Sequence, residues 1–228
     1  MPLALRAWLR YLVPLTVLSV IAFIPLLWIA SRTGLAADLP KARAQVRLGW
    51  VLAAVAWASQ LWLVAGAAPA VRGLVRGQPL SQLRAFSEGL RGLVRGFVPC
   101  LVAVLAVVLG GIALVVPGAL LLVLLALTGA SERLDQPPPA PLVDSVSVVR
   151  GNLGRVALIV LAIVVANLAI ALVLQWQLVP HITRKVAASK LAPIRTFVRM
   201  VPLVLAVAAP LAACALAAAY ARLRSRTS

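Results

Sequence analysis

The stretch GFVPCLVAVLAVVLGGIALVVPGALLLVLLALTGAS, residues 96–131, contains no charged side chain. About 20 apolar residues form a helix that crosses the ~30 Å hydrocarbon core of a bilayer. The 36 residues of this run would make one helix of roughly 54 Å, which exceeds a single crossing. Pro117 removes a helical hydrogen bond and Gly118 permits a turn. The run therefore predicts a hairpin of helices over about 97–116 and 118–131, with a single kinked helix and an interfacial extension as the alternative.

Four more uncharged runs are long enough to cross a bilayer. The chain is 63% apolar and 12% charged, whereas a soluble domain is typically about half apolar and roughly a quarter charged. We therefore predict an all-α, polytopic transmembrane helical bundle of about six spans, forming a single integral membrane domain over residues 1–228. Besides the two helices of the hairpin, the predicted spans cover about 11–31, 48–71, 156–179 and 200–221.

The chain is strongly basic, with 22 Lys and Arg against 5 Asp and Glu and a net charge of +17. A nucleic-acid interface would gather those charges on one solvated face, but here they are spread over every connection between apolar runs. Anionic lipid headgroups are the better match, and no nucleic-acid partner is expected. Six spans put thirteen basic residues on the cytoplasmic side against nine outside, and five spans put twelve against ten. The positive-inside rule thus favours six spans with both termini cytoplasmic.

The interiors of the predicted spans contain no Asp, Glu, Lys, Arg or His. Because intramembrane charges mark ion pathways and catalytic centres, this argues against an ion-coupled transporter and against an intramembrane protease. We predict no catalytic residue, metal site or cofactor. Gln60, Asn167 and Gln175 are candidate intramembrane polar contacts, either interhelical hydrogen bonds worth ~0.6 kcal/mol or contacts with a substrate.

A basic connector joins the second and third predicted spans. VRGLVRG at 71–77 recurs as LRGLVRG at 90–96, and we interpret the copies as exit from one span and entry to the next, with glycines loosening the chain where it turns. Between them, apolar residues recur at three- and four-residue steps opposite Arg84 and Arg91, which predicts an interfacial helix over about 79–94. Candidate contacts to lipid headgroups or a partner are Arg72, Arg76, Arg84, Arg91, Arg95, Arg150 and Arg155.

Three short motifs occur in a fixed order over residues 60–175. They are GxPLSxxxAFxxGLR at 77–91, VVPG at 115–118 and DSVSVVRGNLGR at 144–155; Asp144 in the last is also expected to cap a short helix. The order resembles the membrane domain of some bacterial glycerophosphodiester phosphodiesterases and related bacterial inner-membrane proteins. The resemblance implies the fold and a multi-pass location in the bacterial inner membrane but no reaction, and its recurring marks match Pro117, Gly118, Ser147, Arg150 and Gly151.

Three functions are compatible with these features. The favoured one is a non-enzymatic membrane protein that interacts with lipid and acts as a scaffolding or accessory subunit beside other protein subunits. The alternative is a permease subunit driven by an ATPase. That ATPase would have to be a separate chain, because this one has no phosphate-binding GxxxxGK[ST] motif. An enzyme acting on lipid would have to use the scattered His181, Glu132 and Asp144.

Overall fold

The computed structural model describes residues 3–36, 42–113, 115–137, 139–173 and 192–225. Over these residues the chain is all-α and contains no strand. The helices are α1 (Leu3–Arg10), α2 (Leu12–Ala36), α3 (Ala42–Val75), α4 (Gln82–Ala113), α5 (Val115–Leu124), α6 (Ala140–Arg150), α7 (Leu153–Val173) and α8 (Ala192–Arg224), with a 3-10 turn at Thr128–Ala130.

Four of these helices are long and apolar enough to cross a bilayer. The qualifying segments are Leu12–Ile29, Ala54–Val75, Gln82–Gly111 and Leu153–Ile170. The predicted class, an all-α chain with several apolar helices of membrane-spanning length, is therefore confirmed. The predicted span 156–179 corresponds to α7, and its last residues lie outside the described part of the chain. The predicted span 200–221 lies within α8.

The break in the long apolar run falls earlier than the sequence predicts. α4 ends at Ala113 and α5 begins at Val115, so Pro117 and Gly118 lie in the first turn of α5 instead of forming the turn. Proline is tolerated there because the first amides of a helix have no intrahelical acceptor. Gly118 is needed for packing, since an added Cβ would lie 2.6 Å from the Cα of Gly111 in α4. Gly118 thus lets α4 and α5 approach closely, and α5 with its 10 residues is shorter than a full crossing.

The predicted interfacial helix over 79–94 and the predicted span over 97–116 are one helix in the structure. α4 runs without interruption for 32 residues, which is roughly 48 Å. Pro99 inside it does not end it. Leu83 and Val94 in its first half are 79% and 71% exposed, and the same exposed apolar side continues to Leu109.

The two copies of the basic repeat have different structural roles, which corrects their interpretation as equivalent turns. In the first copy Gly77 has a φ of +69° and ends α3, with the Gln78 amide donating to the Gly73 carbonyl at 2.9 Å, as in a Schellman motif. In the second copy Gly92 lies inside α4, where an added Cβ would overlap the Ala65 carbonyl oxygen of α3. Glycine is required there for close helix packing instead of a turn.

Helix α3 forms the centre of the bundle and packs against α2, α4 and α8. The indole nitrogen of Trp62 donates to the Leu93 carbonyl of α4 at 2.5 Å, and its ring meets that of Phe97 edge-on with centroids 5.5 Å apart. The largest buried side chains include Tyr11, Phe23 and Tyr220. Tyr11 lies between α1 and α2, Phe23 belongs to α2 and Tyr220 belongs to α8.

Candidate functional site

Polar contacts between distant segments gather at one end of the bundle, which we call the polar end. The Tyr11 hydroxyl donates to the Leu80 carbonyl at 3.1 Å, and the Gln82 amide donates to the Arg10 carbonyl. Ion pairs join Arg76, directly after α3, and Arg95 of α4 to the segment between α5 and α6. A third joins Arg224 of α8 to α6. The end of α1, the end of α3, the start of α4, the segment between α5 and α6 and the end of α8 therefore lie together.

A polar cleft of about 370 Å³ opens at this end between α3, α4 and residues 131–135. Gly73 and Gly92 are among its lining residues. The repeat copies meet here, because each contributes two arginines. We call this site the arginine cleft, defined by Arg72, Arg76, Arg91, Arg95, Glu88, Glu132 and Asp135.

Three of the four arginines are paired with carboxylates at the cleft. Arg76 lies 3.5 Å from Glu132, Arg95 lies 3.0 Å from Asp135, and Arg91 lies 2.8 Å from Glu88. These side chains are largely exposed, so each pair is worth only about 0–1 kcal/mol and exchanges readily.

Arg72 differs from the other three arginines of the cleft. It is half-buried, and its Nε donates to the Ala68 carbonyl at 3.4 Å. Within the described part of the chain no carboxylate lies within salt-bridge distance of it. The cleft therefore holds four guanidinium groups against three carboxylates, and Arg72 is the one without an ion pair among the described residues.

A buried carboxylate holds the segment that forms one wall of the cleft. Asp144 of α6 has a side chain only 1% exposed. Its Oδ2 accepts hydrogen bonds from the Ser131 hydroxyl at 2.6 Å and from the Tyr220 hydroxyl at 2.7 Å, and its Oδ1 accepts from Arg224. The Tyr220 oxygen also accepts from the Glu132 amide at 3.2 Å. The network joins α6 and α8 to residues 131–132 of the segment between α5 and α6.

The ionised form of Asp144 is favoured despite its burial. Burial alone would raise the pKa of its carboxyl, but the hydrogen bonds from Ser131 and Tyr220 and the charge of Arg224 outweigh it and lower the pKa below 3.8. The expected capping role is wrong, because α6 begins at Ala140 and Asp144 lies inside it. The sequence contained one signal for the contact of α8 with Asp144. Tyr220 and Arg224 lie one helical turn apart, so both can face the same partner.

The remaining predicted site residues lie away from the cleft. Arg84 is exposed on α4 and Arg150 is exposed at the end of α6. Arg155 lines a separate groove beside α1 and α8. Arg72, Arg76, Arg91 and Arg95 are thus the members of the predicted set that the structure brings together.

Of the predicted intramembrane polar residues, Gln60 is buried and its amide donates to the Ala209 carbonyl of α8 at 3.2 Å. Asn167 is half-buried on α7. Gln175 lies outside the described residues, as does the basic stretch before α8 up to residue 191.

The described residues contain no group of three or more His, Cys, Asp or Glu side chains placed to hold a metal ion. Asp144 is engaged with Arg224 and Glu132 with Arg76. His181, the third candidate for lipid chemistry, lies outside the described residues. The two acids therefore have structural partners in the folded chain.

These features define a class of protein: an all-helical chain whose long apolar helices end at a basic, ion-paired surface. A comparison with protein-family models, curated proteins and solved structures finds no match. The resemblance of residues 60–175 to the phosphodiesterase-associated membrane domain therefore stays a prediction.

Proposed function

We propose that this chain is a non-enzymatic integral membrane protein of the bacterial inner membrane that serves as an accessory subunit of a membrane complex. Its outer apolar side contacts lipid, and its arginine cleft docks an acidic segment of a partner subunit. The single observation that carries the proposal is the cleft itself, where Arg72 lacks a carboxylate partner among the described residues.

Lipid contact is supported by the large apolar side chains on the outside of α2, α4 and α7. Leu158 of α7 is 69% exposed, and Ile24 of α2 is 54% exposed. In water such a surface would be costly, at roughly 25 cal/mol per Å² of apolar area. In a bilayer the same side chains meet hydrocarbon. The basic end then meets anionic headgroups, as juxtamembrane arginines do.

A carboxylate is the anionic group that suits the cleft best. Guanidinium groups can bind carboxylates in paired, geometrically defined hydrogen bonds, and the cleft's own arginines already form ion pairs with Glu132 and Asp135. Because those pairs are exposed and weak, a partner's acidic side chains can replace them without a large cost. Docking there would join α3, α4 and the connector to the partner.

The test is site-specific photo-crosslinking followed by native mass spectrometry after gentle extraction. A photo-reactive amino acid at Gln78, which is exposed and lines the cleft, should crosslink to the partner. The same group at Ser87, which is exposed on α4 outside the cleft lining, should not. The double variant Arg72→Gln/Arg76→Gln should lose the crosslink and the copurifying subunit.

Arg84→Gln is the matched control, because Arg84 of α4 is also an exposed arginine but does not line the cleft. It should retain the partner at the wild-type level. Equal retention by the double variant would overturn docking at the cleft. Recovery of a stoichiometric ATPase subunit would replace the accessory role with that of a permease subunit.

A further inference from the structure

A second cavity at the polar end lies apart from the arginine cleft. This groove of about 360 Å³ is bounded by α1, the start of α7 and the end of α8. Its floor and walls are apolar and include Leu3, Ile159, Ala215 and Ala219, and two arginines, Arg155 and Arg222, line it as well. We refer to it as the α1–α7–α8 groove.

The groove has a gradient of polarity along both of its long helices. On α7, Arg155 precedes Ile159 by one turn, so the charge lies at the helix start and the apolar side chain lies deeper. On α8, Ala215 and Ala219 precede Arg222 on the same face, since residues spaced by three and four lie together on a helix. Both helices therefore place a guanidinium at the polar end and apolar surface further into the bundle.

The two arginines have no anionic partner within the described part of the chain. Both are exposed, and the ion pairs of the polar end go to other arginines. Two guanidinium groups that line one groove can both contact a single anion, which also offsets their mutual repulsion. A phosphate group meets this need, because guanidinium binds phosphate in paired hydrogen bonds.

From this geometry we infer that the α1–α7–α8 groove is a binding site for an anionic phospholipid. The phosphate lies between Arg155 and Arg222, and an acyl chain follows Ile159, Ala215 and Ala219. A free anion would leave the apolar floor unused, and an apolar helix would leave the arginines without a counter-ion. The inference rests on the membrane location in the proposed function but not on the partner at the cleft.

The test uses delipidated protein in neutral detergent, titrated with dioleoyl phosphatidylglycerol and with dioleoyl phosphatidylcholine and followed by native mass spectrometry. Wild type should prefer the anionic lipid. Arg155→Gln/Arg222→Gln should weaken binding of that lipid at least about tenfold, which corresponds to about 1.4 kcal/mol. Arg150→Gln, an exposed arginine outside the groove, should bind as wild type does.

Two further measurements distinguish a bound phospholipid from a free phosphate compound and from other occupants of the groove. Ala219→Leu fills the groove and should weaken binding of phosphatidylglycerol while leaving the weak binding of glycerol 3-phosphate unchanged. Glycerol 3-phosphate binding as tightly as the lipid would overturn the proposal in favour of a free phosphate site. Unchanged lipid binding in the arginine double variant would also overturn it, and so would an Ala219→Leu variant that alters only the oligomeric state.

Failure here can be distinguished from failure of the proposed function. The arginine variants of the groove should keep the crosslink at Gln78, and the variants of the cleft should keep phosphatidylglycerol binding. Loss of both in every variant would indicate misfolding, which size-exclusion chromatography and circular dichroism would reveal.

Discussion

At the scale of single residues, the stability of the polar end depends on one carboxylate with three donors. Asp144 is buried and binds Ser131, Tyr220 and Arg224. The ion pair between Arg95 and Asp135 also joins two segments, but Asp135 is 65% exposed. The two acids therefore differ in how much they contribute to stability. Removing a partner from a buried hydrogen-bonded group leaves other groups unsatisfied, whereas exposed ion pairs contribute little.

Asp144→Asn should therefore lower the free energy of unfolding by about 1–3 kcal/mol, since an amide cannot keep the charge interaction with Arg224. The matched change Asp135→Asn should cost about 0–1 kcal/mol. Thermal unfolding in a mild detergent at pH 7 compares the two variants with the wild type. Equal effects of the two changes would contradict the structural role of Asp144.

The pH dependence of stability gives a second, independent prediction for the same residue. Because the pKa of Asp144 in the folded chain is lowered from 3.8, the folded state holds its proton less tightly than the unfolded state. The stabilisation is present above the unfolded pKa and disappears as the pH falls through the folded pKa. The difference in unfolding temperature between wild type and Asp144→Asn should be constant near neutrality and shrink in strong acid.

At the scale of elements, close approach of helix backbones depends on glycines that the sequence presents as parts of a basic repeat. Gly92 and Gly96 of α4 face Ala65 of α3 with no space for a side chain. Gly129, in the 3-10 turn between α5 and α6, likewise has no space for a side chain against the Leu61 carbonyl of α3. Such contacts let α3 pack tightly on both α4 and the α5–α6 connector, as small residues do in membrane helix interfaces.

Gly92→Ala should lower stability by roughly 1–3 kcal/mol, because the added methyl group overlaps a backbone carbonyl that cannot move independently. Gly154→Ala in the first turn of α7 is the control, since the added Cβ would have no atom within 4 Å beyond its chain neighbours and the nearby backbone of its own helix. The control should be neutral or slightly stabilising through its helix propensity. An unaltered unfolding temperature for Gly92→Ala would show that α3 and α4 are further apart than the structure places them.

At the scale of the whole molecule, the polar end collects the start of α4, the end of α8 and the arginines of the α3–α4 connection. Because both termini are predicted to be cytoplasmic, we expect this end to face the cytoplasm, as the positive-inside rule also predicts. An even number of membrane crossings between two residues places them on the same side of the bilayer, so the sidedness of chosen residues tests the number of spans. Arg84 and Ser225 are exposed, so they can report on it.

In a background with Cys100 and Cys214 replaced by Ala, Arg84→Cys and Ser225→Cys should react with a membrane-impermeant maleimide from the same side. We expect labelling in inverted membrane vesicles of a bacterial host and none in intact spheroplasts, because six spans return the end of α8 to the side of the α3–α4 connection. Labelling of the two positions from opposite sides would exclude the six-span arrangement. Cys100 and Cys214 are buried, which makes the unsubstituted protein a low-background reference.

The sequence alone determined the helical class, the long apolar segments and the basic connectors, because hydropathy and helical period depend on neighbouring residues. It also indicated Arg72, Arg76, Arg91 and Arg95 as a group, since they flank one connector. The sequence placed the break between helices too late, near Pro117, and divided α4 into two helices. Proline and a change in polarity do not by themselves end a helix that packing supports. Only the tertiary structure decided that Asp144 meets Tyr220 and that Arg155 and Arg222 line one groove. Such arrangements of residues far apart in the chain depend on how helices pack.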